Sequence, residues 1–253
     1  DGMCVTRCPV LINTGDLVRR LRAENQDALG AAGWKFASKH WGTIDKVAGK
    51  ALTAAKMLPF PVVRGATDIG RKLFGEDLVP AYKKGLSAGG APRVPHAEAN
   101  PDIVFFPACV NAMFGGVDGE GKHDPVNATQ AFIRLCARAG VKYRVPEGID
   151  QLCCGTPWKS KGYTDGYSIM SDRVLKALWQ ATDGGRIPIV CDASSCTEGL
   201  EVMRAKVAAA VEHKITQGLG AGEADYAQLK LIDSVQFAAD TLLPKLTVSA
   251  PLP

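Results

Sequence analysis

Four short apolar runs, each followed by a helical pattern, constrain the fold of this chain more than any other feature. Ile103-Val104-Phe105-Phe106 is uninterrupted, as expected of a strand covered on both faces. Lys142 to Val145 reads as a second strand, Ile187-Pro188-Ile189-Val190 as a third, and Leu229-Lys230-Leu231-Ile232 as a fourth. The segments between them carry helical signals. Asp124-Pro125 offers a cap with proline at the first helical position for a helix ending near Gly140. Further helices are expected from about Tyr167 to Thr182, closed by Gly184-Gly185, from Glu198 to Gln217, and from a cap at Asp233 to a stop before Pro244. Strands alternating with helices in this way predict an α/β unit with a mainly parallel sheet.

In such a sheet, ligands gather beyond the carboxyl ends of the strands. Cys109, Cys153, Cys154 and Cys196 each lie just past a predicted strand, so three loops would bring four thiols to one rim. Converging thiols are what a polythiolate metal or iron–sulfur site requires. A lone cysteine reads instead as a small buried hydrophobe, and Cys136 takes that reading. Cys191 stands at a strand end but serves equally well as strand core. A redox dithiol at Cys153-Cys154 is the competing chemistry. Its eight-membered disulfide ring would be strained, and it would leave Cys109 and Cys196 unexplained.

The N-terminal region carries a second cysteine pattern. Cys4-Val5-Thr6-Arg7-Cys8-Pro9 has the Cys-x3-Cys-Pro spacing that ends the bacterial ferredoxin run. Asp1 occupies the position three residues before Cys4, where that run has another ligand. A helix capped by Asn13 or Thr14 follows, running through Leu17, Val18 and Leu21 to a stop at Gly30. Residues 31–98 read as loosely packed helices and an extended connection, ending in the Gly/Pro-rich stretch Ser87 to Pro95, with no chemistry evident. His40, His96 and His123 stand alone and read as solvated.

Across 253 residues, 46% hydrophobic and 22% charged content excludes a disordered or fibrous chain. The net charge of +4 is spread along the sequence, which argues against nucleic-acid binding. No apolar run reaches membrane-spanning length, and no export signal opens the chain, so the eight cysteines read as ligands or redox thiols rather than structural disulfides. The chain opens on Asp1 and closes on Pro253 directly after a helical pattern, and it therefore reads as a segment of a longer protein.

Asp1 to Val10 with Ile12-Asn13-Thr14-Gly15 resembles the second ferredoxin motif of the FAD-linked, iron–sulfur D-lactate dehydrogenases, relatives of glycolate oxidase and D-2-hydroxyglutarate dehydrogenase. Phe105 to Cys109, Cys153 to Pro157 with Ser160-Lys161-Gly162, and Asp192 to Cys196 resemble that family's Cys-Cys-Gly module, a type shared with heterodisulfide reductase subunits. Asp233 to Asp240 with Leu242-Leu243-Pro244 is similar to the segment preceding a second copy of the module.

The resemblance implies residues 1–30 as the remnant of a 4Fe–4S ferredoxin-type domain, 31–98 as connector, and 99–253 as a truncated cysteine-rich domain. It also implies an oxidoreductase in which FAD, on a domain outside this chain, takes hydride from a D-2-hydroxy acid. Electrons would then pass through 4Fe–4S clusters to a quinone or cytochrome. Cys4, Cys8 and Asp1 would serve ferredoxin-type clusters, and Cys109, Cys153, Cys154 and Cys196, with Cys191 open, the cysteine-rich site. The spacings from Cys109 to Cys153 and from Cys191 to Cys196 are wider than the family pattern. The segment alone would be inactive, lacking a flavin site. The expected location is the cytoplasm, with any membrane association peripheral.

Two other functions fit the same residues: a heterodisulfide reductase-like thiol subunit, and an interaction module in which zinc closes a tetrathiolate site. Beside the Cys-Cys-Gly loop, Lys159-Ser160-Lys161-Gly162 reads either as charge that raises a cluster's potential or as a solvated turn. The glycines from Gly115 to Gly121 lack the lysine and spacing of a phosphate loop and read as a flexible loop over Cys109.

Overall fold

A computed structural model describes residues 8–10, 12–74, 79, 81–116, 127–216 and 225–247. Among the described residues, four helices precede the sheet: α1 (Thr14–Glu24), α2 (Ala28–Lys39), α3 (Trp41–Met57) and α4 (Phe60–Phe74). Asn13 caps α1 by accepting from the Asp16 N–H, as the sequence suggests. The expected stop at Gly30 is corrected. The helix ends at Glu24, and Asp27 caps a new one by accepting from the Gly30 N–H at 2.5 Å, so Gly30 lies inside α2. A capping carboxylate three residues upstream satisfies that otherwise free donor and starts a helix despite the glycine.

The sheet contains β1 (Ile103–Phe106), β2 (Tyr143–Arg144), β3 (Ile189–Cys191) and β4 (Leu231–Asp233). Its order is β2-β1-β3-β4, and every pair is parallel, as expected for the α/β class. Helices α5 (Cys109–Met113) and α6 (Ala128–Arg138) follow β1. Helices α7 (Thr156–Lys161) and α8 (Thr164–Ala181) follow β2, α9 (Ser194–Thr216) follows β3, and α10 (Ser234–Phe237) follows β4. A π turn at Ala238–Leu242 and a 3-10 turn at Leu243–Lys245 continue α10. The expected start of α6 at Asp124-Pro125 lies outside the described residues, and the described helix is capped by Asn127. No described helix is long and apolar enough to cross a membrane.

The strands are only two to four residues long, so their ladders contribute little; burial on both faces holds the central β1 and β3, while the edge strands β2 and β4 are half-buried. All of β1 is buried, and Phe105 packs on Phe132 with ring centroids 4.8 Å apart. One stripe of α8 is buried at helical spacing: Tyr167, Met170, Ser171, Val174, Leu175, Leu178 and Ala181. Each fully buried Leu, Ile, Phe or Met contributes roughly 1.5–3 kcal/mol, which is how so short a sheet is held. Register aligns Phe106 with Cys191 and Cys191 with Asp233, so three carboxyl ends finish level and the following loops share one edge.

The N-terminal helices pack on the same body. Trp158 of α7 is fully buried, donates from Nε1 to the Trp34 carbonyl at 2.8 Å, and meets Trp41 with centroids 4.9 Å apart. Arg22 of α1 donates to the Ser160 carbonyl at 2.6 Å, and Gln26 to that of Gly162.

Candidate functional site

Each cysteine-bearing loop at the carboxyl edge is shaped by an identifiable local cause. After β1, Pro107-Ala108 leads into Cys109, the first residue of α5. The buried carboxylate of Asp192, just past β3, accepts from the Ala108 N–H at 2.7 Å, from Asn111 Nδ2 at 3.1 Å and from Thr129 Oγ1. That one side chain binds the loop after β3 to the loop after β1. Donors to a charged acceptor make it a firm brace.

After β2, a 3-10 turn (Ile149–Gln151) delivers Leu152-Cys153-Cys154-Gly155. Gly155 has φ +77, a left-handed conformation costly for other residues, and a Cβ there would collide with Met203 Cε and stand 2.9 Å from the Tyr167 ring. Gly199 of α9 serves the same end from the other side. A Cβ on it would meet the Cys154 carbonyl at 2.6 Å, so its absence lets α9 approach the loop. Cys196 consequently sits in the first turn of α9, not in a loop as the sequence suggests, because the helix begins at Ser194 rather than Glu198.

These elements join four thiols into a chain of neighbours. Cys109 Sγ lies 3.8 Å from Cys153 Sγ, and Cys154 has the Cys153 and Cys196 thiols for neighbours close enough to shift its pKa. Cys154 Sγ also contacts Thr156 Oγ1 at 3.3 Å, whose hydroxyl lies 3.2 Å from the Ser195 carbonyl. Cys153, Cys154 and Cys196 are buried, while Cys109 is partly exposed. The contact with the Cys153 thiol lowers the Cys109 pKa, and the Cys153 and Cys196 thiols draw Cys154 well below the ordinary thiol range. Cys153 and Cys196 are pushed up by contact with the neighbouring thiols and by burial.

The donor chemistry fits a soft, thiolate-bound group. About a single ion, metal–sulfur bonds of about 2.3 Å in a tetrahedron set sulfurs about 3.8 Å apart, so the Cys109–Cys153 separation suits two ligands of one metal atom. The arrangement is nonetheless a chain rather than a closed cage: among the described residues, no three His, Cys, Asp or Glu side chains form a ready-made ion site.

The remaining cysteines stand apart from this chain. Cys136 is buried on α6, and desolvation pushes its thiol up to about 11. Cys191 lies within β3, fully buried and its thiol raised by that burial, which favours the strand-core reading of that residue. Cys8 is half-buried ahead of α1, while Cys4 and Asp1 lie outside the described residues. Every described cysteine is free, including the vicinal pair.

Two residues of the connector matter, although its sequence suggests no chemistry. Arg93, its side chain 3% exposed, pairs with Asp45 Oδ2 of α3 at 3.5 Å. Its guanidinium donates to the Pro107 carbonyl at 3.3 Å, the Asp150 carbonyl at 3.3 Å and the Leu152 carbonyl at 2.8 Å. It therefore staples the Cys109 loop to the Cys153 loop. Burial raises the Asp45 carboxyl, and Arg93 partly offsets the rise. The pair lines the wall of a cleft of about 370 Å³ running along α3 past Gly49, Thr53 and Met57. An arginine in a Gly/Pro stretch carries no distinguishing signal in one sequence.

The lysines that do carry such a signal are engaged elsewhere: Lys159 bridges Glu198 at 2.5 Å, and Lys161 lies over the Trp34 ring. His40 stacks on Phe36 and His96 on Tyr143, while His123, Gly119 and Gly121 lie outside the described residues. Comparison with protein-family models, with curated proteins and with solved structures finds no match to this chain, so the functional reading rests on the site itself.

Proposed function

We propose that this chain is an iron–sulfur electron-transfer segment of a flavin-dependent D-2-hydroxy-acid dehydrogenase, carrying electrons from FAD on a separate domain to a quinone or cytochrome. One observation carries the proposal: four cysteines that follow three strands, Cys153 and Cys154 in a loop and Cys109 and Cys196 in the first turns of α5 and α9, form one run of thiol neighbours at the carboxyl edge of a parallel sheet. A thiolate-bound iron–sulfur group would supply one-electron exchange at that edge. Cys109, Cys153, Cys154 and Cys196 would hold it as thiolates. Gly155 and Gly199 leave the space in which the Cys-Cys loop turns and meets α9. Asp192 fixes the Cys109 loop, and the buried walls around Cys153, Cys154 and Cys196 keep water from the sulfurs.

The 3.8 Å Cys109–Cys153 pair also favours a second reading, thiol–disulfide exchange, in which the more acidic Cys109 attacks a substrate disulfide and Cys153 resolves it. The substrate would leave as two thiols, and Cys109 and Cys153 as a disulfide.

Metal and acid-labile sulfide analysis of anaerobically prepared protein, with an EPR spectrum after reduction, separates these readings. Iron with matching sulfide and a reduced-state signal is the expected result. Metal-free protein in which iodoacetamide blocks turnover of a small disulfide favours the dithiol. One zinc without sulfide leaves an interaction module.

A further inference from the structure

Outside the thiols themselves lie the buried Arg93–Asp45 pair, the cleft along α3 and the exposed apolar face of α4. The pair is the feature tied to the site by named contacts. We propose that Arg93, held by Asp45, is the positioning residue of the cysteine site: its guanidinium joins the Cys109 and Cys153 loops and supplies the positive charge against which the thiolates are held. The inference deepens the reading above and rests on its thiolate site, but not on the identity of the bound group.

The contacts are specific. The Leu152 carbonyl immediately precedes Cys153, and the Pro107 carbonyl lies two residues before Cys109. A planar fork with several donors can bind carbonyls on two loops at once, which a lysine ammonium does less well. The charge is not there for stability alone, because a buried ion pair is commonly no better than apolar residues of the same volume. This pair is also incompletely satisfied: Asp45 Oδ1 and Arg93 Nε have no hydrogen-bond partner among the described residues. A buried charge acts through a low dielectric, and the carbonyls that hold Arg93 stand one residue before Cys153 and two before Cys109. With Lys159 and Lys161 engaged by Glu198 and Trp34, Arg93 is the cation the described structure sets against the cysteine loops.

The test compares Asp45→Asn, Arg93→Met and Arg93→Lys in two assays on the whole chain. Co²⁺ serves as a spectroscopic probe of the thiolate site, titrated against a competing chelator and followed by sulfur-to-metal charge-transfer absorption. The midpoint potential of anaerobically reconstituted protein is read by EPR. Co²⁺ binding to protonated thiols releases their protons and leaves a tetrathiolate site of charge −2, so Asp45→Asn, which removes the opposing charge, is expected to tighten Co²⁺ about tenfold at a pH below the thiol range, and to raise the potential by the equivalent of about 59 mV for one electron. Arg93→Met is expected to shift both in the opposite direction, and Arg93→Lys to keep most of the charge effect. Opposite shifts from two variants that break the same pair are the signature of charge, because a structural role would weaken the site in both.

Should Arg93→Met fail to fold, the near-isosteric Asp45→Asn decides alone. An unchanged or weaker Co²⁺ affinity in Asp45→Asn overturns the inference, as does a chain that binds no Co²⁺. If Co²⁺ shifts as expected while no iron or sulfide is retained, the electron-transfer reading falls and this inference stands. Iron retained with an unmoved potential in Asp45→Asn has the reverse meaning.

Discussion

Replacing Gly155 with alanine perturbs the cysteine loop at the point where backbone and packing both demand glycine. The left-handed conformation at φ +77 costs an L-residue roughly 1–2 kcal/mol. The added methyl collides with Met203 Cε and comes within 2.9 Å of the Tyr167 ring. Met203 is fully buried, so it has no solvent space to retreat into. Overpacking of this kind costs about 1–3 kcal/mol, for a total of about 2–5 kcal/mol. For a chain of this size that lowers the thermal midpoint by roughly 5–15 °C. Gly148→Ala is the control, because φ there is +67 while nothing lies within 4 Å of the added carbon. It should lose only the backbone share. Differential scanning calorimetry of both variants reads the difference, and thiol titration of folded Gly155→Ala should find Cys154 more accessible than in the parent. If Gly155→Ala is no less stable than Gly148→Ala, the packing argument for the Cys-Cys-Gly turn is wrong.

Three further outcomes are expected. Asp192→Ala removes the acceptor shared by Ala108, Asn111 and Thr129 and should cost on the order of 3 kcal/mol in urea unfolding, whereas Thr129→Val should cost about 1 kcal/mol; equal costs would deny Asp192 its bracing role. Burial raises the Cys136 thiol to about 11, so its contribution is fully present below about pH 9 and lost as pH rises through about 11; denaturation midpoints should fall over that window, and more gently in Cys136→Ala. Trp158→Ala removes the side chain joining α2 and α3 to the cysteine loop and should cost about 4 kcal/mol, while Trp158→Phe, which chiefly loses the bond to the Trp34 carbonyl, should cost about 1–2 kcal/mol by the same assay.

What the sequence makes legible here are features with a local signature. The apolar runs at 103–106 and 187–190 mark central strands because a strand covered on both faces has no polar side to interrupt it. Parallel order then places Cys109, Cys153 and Cys154 at one edge by topology alone. Helix starts are less legible. Asp27 outweighs the glycine signal at Gly30, and α9 begins early enough to take Cys196 into its first turn. The residues that shape the site from a distance leave no local trace. Asp45, Arg93 and Gly199 are ordinary residues in ordinary patterns, and their roles exist only once α3, the connector and α9 converge on the cysteine loops. The lysines beside the Cys-Cys-Gly loop show the converse: their position suggests a charge role, while Glu198 and Trp34 engage both.

The central claim is that Cys109, Cys153, Cys154 and Cys196 act together as one thiolate site while Cys136 and Cys191 serve the core. Serine replacement of each of the six, with iron and acid-labile sulfide measured per folded chain after anaerobic preparation, addresses it most directly. Loss of half or more of both in each of the first four variants, with near-parent content in Cys136→Ser and Cys191→Ser, is the expected pattern. Iron and sulfide that survive Cys153→Ser, or that vanish equally in Cys136→Ser, would contradict the account.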